Sequence, residues 1–190
     1  MTPNLGGWLP VATPDQLTGL GSSSSTGRSR PPRSASDSAM TGLTGPLAVR
    51  VHDVPWALVR LDGVLAAFLD RCPHRRVPLS SGRVVGSQLE CPYHGWRFDA
   101  SGRCALIPAL APSPPPKGMR APRAAVTEAH GAIWLATAPT LPQPVLPPTA
   151  VLQHPRHFAV PAADLPLPSG LLHVPRPETA TTTVLYSWSV

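Results

Sequence analysis

The sequence is poor in charged residues, in cysteine and in long apolar runs. Charged side chains make up 14% of its 190 residues, whereas a typical soluble protein has about a quarter. Its three cysteines cannot form a disulfide framework. No window of about 18 apolar residues is present, and the first residues lack the basic and apolar regions of a signal peptide. These absences predict a soluble, cytoplasmic protein that neither spans nor binds a membrane.

The positive charge of the chain is spread out rather than concentrated. The formal net charge is +6, and a basic balance can favour nucleic acid, a membrane surface or an acidic protein partner. No Lys/Arg-rich run of the length used for nucleic acid appears, so no nucleic-acid partner is expected. Proline is abundant instead, with 27 residues. Because proline blocks helix interiors, short strands and loops are predicted.

Composition divides the chain into four predicted segments. Residues 1–20 form an ordered lead-in, in which Thr13, Pro14 and Gln16 have the order of an N-cap, a first helical proline and a capping-box residue. Residues 21–45 are rich in Ser, Arg and Pro and are predicted to be a disordered insertion. Residues 46–138 form a β-domain. Residues 139–190 form a Pro-rich, largely irregular tail or remnant of a further domain, with one strand at 181–188.

The strands of the β-domain are marked by apolar runs and turn residues. Strands are predicted at 47–54, 56–61, 64–69, 84–90, 97–103, 126–128 and 132–136. Asp62-Gly63 is a favoured two-residue hairpin turn, and Ser101-Gly102 and His130-Gly131 mark further turns. The predicted class is all-β, a small antiparallel sandwich or barrel.

Four residues carry the chemistry: Cys72, His74, Cys91 and His94. The spacing is Cys-x-His, then residues 75–90, then Cys-x-x-His. A Cys₂His₂ zinc site usually has two to four residues between its cysteines and three to five between its histidines, so zinc fits poorly. A [2Fe–2S] cluster with two thiolates on one iron and two imidazoles on the other fits well.

These loops resemble a known family. CPHRRVPLS (72–80) and CPYHGWRFD (91–99) are similar to the two cluster-binding loops of Rieske iron–sulfur proteins, and more narrowly to the N-terminal domain of Rieske-type non-haem iron oxygenases. GWLPVATPDQL (7–17) is similar to the lead-in of such oxygenases. The resemblance implies a Rieske-type β-fold and a [2Fe–2S] cluster. It also implies an electron-donating reductase or ferredoxin and a separate catalytic oxygenase chain as partners.

Departures from the family pattern indicate the subtype. Respiratory-chain Rieske proteins carry an extra cysteine in each loop, where this sequence has Val77 and Tyr93, so no disulfide is expected. Those proteins also place Ser and Tyr hydroxyls near the cluster, where this sequence has Trp96 and Phe98. Fewer hydrogen bonds to the sulfurs predict a potential at the low end of the Rieske range, about −150 mV.

Other residues near the loops have predicted roles. Gly95 allows the backbone to come close to the cluster, and Trp96 shields the cluster or packs in the core. Asp99 forms a turn, and Cys104 is a small buried residue. Six arginines near the loops either steer an acidic partner or form a solvated rim: Arg71, Arg75, Arg76, Arg83, Arg97 and Arg103.

The C-terminal segment raises the question of an oxygen-activating iron. LLHVPRPET (171–179) resembles the family's first iron-ligand segment at His173, but the second histidine position holds Glu178 and the preceding aspartate position holds Gly170. Only 17 residues follow His173, so no intact mononuclear iron site is expected. Three interpretations remain: an electron-transfer protein, a truncated or split oxygenase chain, and a non-redox scaffold that retains the fold.

Overall fold

The computed structural model describes residues 7–18, 45–136, 146–147, 149–165 and 171–189. These residues form four antiparallel sheets, which confirms the all-β class. Within the described ranges, the single α-helix has five residues and is too short to cross a bilayer. Of the predicted disordered insertion at 21–45, all but Gly45 lies outside the described residues.

The lead-in joins a sheet formed by the end of the β-domain. Strand β1 (Trp8–Ala12) is followed by helix α1 (Pro14–Thr18). The backbone N–H of Thr13 donates to Gln16 Oε1 at 2.9 Å, which confirms the predicted helix start. Strand β1 pairs with β11 (Ala132–Ala136), and β11 pairs with β10 (Val126–Ala129) across the predicted His130-Gly131 turn. All five residues of β11 are buried, so this strand lies at the centre of the molecule.

A second sheet contains the first predicted hairpins, in the order β2 (Leu47–Val51), β3 (Val54–Leu61), β4 (Val64–Leu69) and β9 (Arg123–Ala124). The turn at Asp62-Gly63 is confirmed, with φ of 50° and 77°. The predicted strand at 47–54 is too long. It ends at Val51, because His52 and Asp53 both adopt positive φ and form a further tight turn.

A third sheet carries the second ligand loop, in the order β5 (Arg83–Val85), β6 (Gln88–Glu90), β7 (Arg97–Phe98) and β8 (Cys104–Leu106). The single strand predicted at 84–90 is wrong, because Gly86 at φ 58° reverses the chain and makes a hairpin. The strand predicted at 97–103 ends at Phe98. There Asp99 accepts hydrogen bonds from Ser101 and Arg103, and the chain turns.

The C-terminal residues form a fourth sheet of β12 (Val151–Leu152), β13 (Arg156–Phe158), β14 (Leu172–Pro177) and β15 (Thr183–Ser189). Strand β15 pairs with β14 on one side and with β12 and β13 on the other, which confirms the strand predicted at 181–188. The expectation of a largely irregular tail is wrong for the described residues. Pro175 and Pro177 are compatible with β14 because, among the described strands, it pairs only with β15 and is an edge strand.

Two of the three apolar clusters among the described residues pack the sheets in pairs, and the third packs the β1–β11–β10 sheet against the β2–β3–β4–β9 sheet. In one, Trp134 of β11 stacks on Trp188 of β15 with ring centroids 5.4 Å apart. Trp188 Nε1 donates to the carbonyl of His130 at 2.9 Å, so the C-terminal sheet packs against the β1–β11–β10 sheet. The other packs β4 against β6 and β7 beneath the ligand loops, and it contains Phe68, Leu79, Leu89, Phe98 and the buried Cys104. The burial of Cys104 confirms its predicted place in the core.

Candidate metal centre

The four predicted ligands lie on two loops with the same backbone hydrogen bonds. Loop 1 is defined as residues 72–77 and follows β4; loop 2 is defined as residues 91–96 and joins β6 to β7. Cys72 N–H donates to the Val77 carbonyl at 2.9 Å, and Cys91 N–H donates to the Trp96 carbonyl at 2.8 Å. A second bond returns to each cysteine carbonyl, from Arg76 at 2.8 Å and from Gly95 at 3.2 Å. Each loop is therefore a closed turn that begins at its cysteine.

The fifth residue of each loop is left-handed. Arg76 has φ 58° and Gly95 has φ 68°. Glycine adopts this conformation without strain, whereas a side chain there is disfavoured. A Cβ on Gly95 would also lie 3.2 Å from Pro108 Cγ. The close approach of the Gly95 backbone to the cluster stays a prediction, and the equivalent left-handed position at Arg76 was not predicted from the sequence.

The two cysteines are buried at the base of the loops. Their exposures are 2% for Cys72 and 3% for Cys91. Burial raises the pKa of the Cys72 thiol to about 11; the His74 backbone opposes this shift, and the adjoining Cys91 side chain adds to it. The two cysteines are thus neighbours in a buried environment, where the neutral form of the Cys72 thiol is favoured.

The two histidines lie on the outer side of the loops and are exposed. His74 Nδ1 is 3.1 Å from His94 Nδ1, so both imidazoles direct the same nitrogen toward one point. Trp96 stacks on His74 with centroids 4.6 Å apart and planes 5° from parallel. Loss of hydration lowers the pKa of His74, and the charges of His94 and Arg75 lower it further. Trp96 is half-buried, so it both covers one face of His74 and packs on the core.

This donor set fits a [2Fe–2S] cluster with two kinds of ligand. Two imidazole nitrogens bound to one tetrahedral metal at about 2.1 Å lie about 3.4 Å apart, close to the separation seen here. The buried thiols supply the soft ligands of an iron–sulfur core. No group of three or more His, Cys, Asp or Glu side chains is placed to hold a single metal ion in the described part of the chain.

Two buried carboxylates hold the loops in position. Asp70 accepts from Ser80 N–H at 2.7 Å and from Ser80 Oγ at 2.6 Å, and so ties the end of β4 to the 3-10 turn Leu79–Ser81 after loop 1. Glu90, the residue before Cys91, accepts from Arg83 Nε at 2.8 Å and from Arg97 Nε at 2.7 Å. Sequence reasoning missed both carboxylates, since neither belongs to a motif and their partners become neighbours only in the fold.

A close backbone contact joins the bases of the two loops. Gly82 follows the 3-10 turn, and a Cβ built on it would lie 2.2 Å from the Glu90 carbonyl oxygen and 2.9 Å from that of Leu79. Its φ of −82° is ordinary, so the requirement for glycine here is one of space. No feature of the sequence around Gly82 distinguishes it from a simple turn glycine.

The six arginines near the loops fall into an ion-paired group and an exposed group. Arg83 and Arg97 form ion pairs with Glu90, so these two are not a free basic surface. The other four are exposed: Arg71, Arg75, Arg76 and Arg103. Asp99 accepts hydrogen bonds from Ser101 and from the Arg103 backbone, which confirms its predicted role as a turn residue.

His173 and Glu178 of the C-terminal segment have structural partners within the fold. His173 is buried in β14, with Nδ1 2.8 Å from Ser187 Oγ of β15. Glu178 binds Arg176 at 2.7 Å and lies 3.9 Å from His157. The buried Arg176 also donates to the Arg50 carbonyl of β2 at 3.1 Å and links the two sheets. His173 and Glu178 thus have different partners, and Gly170 lies outside the described residues.

The loops have counterparts in known proteins. Residues 34–133 match the family described as Rieske [2Fe-2S] domain. The methylxanthine N1-demethylase NdmA of Pseudomonas putida is 42% identical over 91 residues, which are 48% of this chain and 26% of that protein. The oxygenase component of dicamba O-demethylase from Stenotrophomonas maltophilia is 53% identical over 64 residues, 33% of this chain and 19% of that one. The matched part is therefore about a quarter or less of each relative's length.

A solved structure extends the likeness in fold to the C-terminal sheet. A mutant of Pseudomonas putida NdmA with caffeine superposes with a TM-score of 0.71 at 23% identity, over 96% of this chain and 72% of that one. The family match covers more than half of the 190 residues and contains both ligand loops. The chain therefore belongs to the Rieske [2Fe–2S] domain family, whose cofactor is a Rieske-type [2Fe–2S] cluster.

Proposed function

We propose that this chain transfers single electrons within an oxygenase-type oxidoreductase system, through a cluster held by Cys72, Cys91, His74 and His94. The proposal rests on the difference in exposure between the two pairs of ligands. Its thiols are buried, whereas its imidazoles are exposed and meet at 3.1 Å. When bound, a Rieske cluster accepts and releases one electron, at a potential raised by its imidazole ligands.

The residues around the site suit this role. Buried Cys72 and Cys91 keep one side dry, while His74 and His94 place the other side at the surface, where a partner protein can approach. Neither Trp96 nor the buried Phe98 has a hydroxyl to donate toward the cluster sulfurs. The expected midpoint potential is therefore at the low end of the Rieske range, about −150 mV.

The partners follow from the proposed role. An electron donor, either a reductase or a ferredoxin, reduces the site, and a separate catalytic oxygenase chain receives the electron. The name of the Stenotrophomonas relative, an oxygenase component, supports a system of several proteins.

A second candidate is a terminal oxygenase chain, truncated or split from its mononuclear-iron domain. The described C-terminal sheet favours this candidate, because the likeness to the NdmA fold extends beyond the family match to 96% of this chain. The substrates of such an enzyme would be oxidised on another polypeptide or on a longer form of this one.

Iron and acid-labile sulfide, measured on anaerobically purified protein, test both candidates. About two irons and two sulfides per chain are expected for a Rieske electron carrier. About three irons with two sulfides would add a mononuclear site, which neither an electron carrier nor a chain separated from its mononuclear-iron domain would hold. Zinc without sulfide would overturn the proposal.

Ligand substitutions test the four assignments. His74→Cys and His94→Cys should lower the midpoint potential sharply or abolish the centre, since a thiolate adds negative charge in place of a neutral imidazole. His154→Cys, at an exposed histidine of the C-terminal segment, is the matched control and should leave the potential unchanged. An unaltered midpoint in His94→Cys would refute the assignment of that ligand.

A further inference from the structure

Arg76 combines a disfavoured backbone conformation with an exposed side chain. At the equivalent position of loop 2 the chain uses Gly95, whereas loop 1 places an arginine at φ 58°. The local fold does not require a side chain there, because the two loops close with the same hydrogen bonds. Strained residues of this kind often cluster at functional sites. The strain at Arg76 therefore indicates that its guanidinium has a function.

The charge of loop 1 is not neutralised within the described structure. None of the ion pairs among the described residues involves Arg71, Arg75 or Arg76. The nearby carboxylates are already engaged, Asp70 by Ser80 and the others by partners given above. Loop 1 and the preceding Arg71 therefore present, in six consecutive residues, three positive charges that form no ion pair with a described residue.

This charge lies beside the exposed imidazoles. Arg75 directly follows His74 in the sequence, and both residues are exposed. On the other side Tyr93, 60% exposed, contacts the His94 ring with centroids 3.8 Å apart. Arginine and tyrosine are among the residues enriched at the energetic centres of protein interfaces. Basic loop 1 and the Tyr93 ring thus flank the two imidazoles.

We propose that Arg75, Arg76 and Tyr93 form the docking surface for an acidic one-electron carrier protein, with Arg76 as the main charged contact. The inference rests on the proposed electron-transfer function and specifies where the donor binds. Opposite charges accelerate the encounter of the two proteins, and the donor's redox group then lies against the edge of His74 and His94. One electron passes from the reduced carrier to the oxidised centre, and no bond is made or broken.

Stopped-flow reduction of the cluster-loaded protein tests the surface. The probe is an acidic plant-type [2Fe–2S] ferredoxin, chemically reduced, whose potential of about −400 mV makes the transfer downhill. The variants are Arg76→Glu and, as a matched charge reversal on the exposed face of β13, Arg156→Glu. Arg76→Glu should slow the second-order reduction about tenfold or more at low salt, with a smaller difference at about 300 mM NaCl. Arg156→Glu should change the rate less than about twofold.

Reduction by dithionite separates the two hypotheses. Equal dithionite reduction in all three proteins shows that the centre is intact, so that slow ferredoxin reduction of Arg76→Glu alone supports the docking surface. Equal ferredoxin rates, or a wild-type rate without salt dependence, would overturn the docking surface and leave the proposed function standing. A wild-type protein that dithionite does not reduce would overturn the proposed function itself.

Discussion

Replacing Gly82 with alanine should disrupt the base of both ligand loops. The new Cβ would lie 2.2 Å from the Glu90 carbonyl oxygen and 2.9 Å from the Leu79 carbonyl oxygen. Non-bonded carbon and oxygen atoms settle at about 3.5 Å, so the two backbones must separate by about 1 Å. Both neighbours are main-chain atoms, so no flexible side chain can yield.

The size of the effect follows from this geometry. Overpacking a well-packed site costs about 1–3 kcal/mol, and each backbone hydrogen bond weakened between β5 and β6 adds about 1 kcal/mol. We expect the free energy of unfolding to fall by about 3 kcal/mol, which lowers the melting temperature by about 6–12 °C for a protein of this size. Iron content should fall with it, since the displaced Glu90 precedes Cys91.

Thermal unfolding followed by far-ultraviolet circular dichroism measures this change. Gly45→Ala is the matched control, because its Cβ would make one ordinary contact at 3.7 Å, with the Gly82 carbonyl oxygen. It should alter the free energy of unfolding by less than about 0.5 kcal/mol. If Gly82→Ala melts at the same temperature as the control, the close contact between the loop bases does not exist.

Three further predictions concern the loops. Asp70→Asn should lower the free energy of unfolding by about 1.5–3 kcal/mol, because it removes a charged acceptor of two hydrogen bonds from Ser80; an unchanged urea midpoint would contradict this. Gly95→Ala should destabilise the protein by about 1–2 kcal/mol, whereas Arg76→Gly should stabilise it, because both residues have the left-handed backbone conformation that favours glycine. If both substitutions shift the melting temperature in the same direction, the two loops are not equivalent. Reconstitution of the apoprotein with iron and sulfide should be faster at pH 8.5 than at pH 6.5, by up to about a hundredfold. The reason is that the Cys72 thiol, whose pKa is raised to about 11, must lose a proton to bind iron. The rate is measured from the appearance of visible absorption, and a rate that does not depend on pH would refute the prediction.

Features encoded by neighbouring residues could be predicted from the sequence. The Asp62-Gly63 turn requires two positive φ angles, and these residue types adopt them readily. The start of helix α1 follows from a side chain that reaches back three residues, from Gln16 to Thr13. The two ligand loops are recognisable because all four donors lie within 23 residues of sequence, at fixed spacing.

Features that depend on distant residues could not be predicted. Glu90 and Arg97 face each other only because β6 and β7 pair, and the sequence alone suggested that Arg97 was a free surface charge. Gly82 resembles any turn glycine until the Glu90 backbone is placed against it. The C-terminal sheet was missed for a different reason. Its prolines argue against a central strand, but β14 is an edge strand among those described.

The stacking of Trp134 on Trp188 also has a consequence for the order in which the protein folds during synthesis. Strand β1, which begins at Trp8, can pair only after β11 (Ala132–Ala136) has been synthesised. The apolar face that the two strands share is covered only when Trp188 has emerged from the ribosome. Contacts this distant in sequence form slowly and leave apolar surface exposed to aggregation in the meantime. The two ligand loops, in contrast, lie close together in sequence, and loop 2 joins the strands of the β6–β7 hairpin, which can close early. A nascent chain could therefore present both cysteines to the cluster-assembly machinery before its own core is complete.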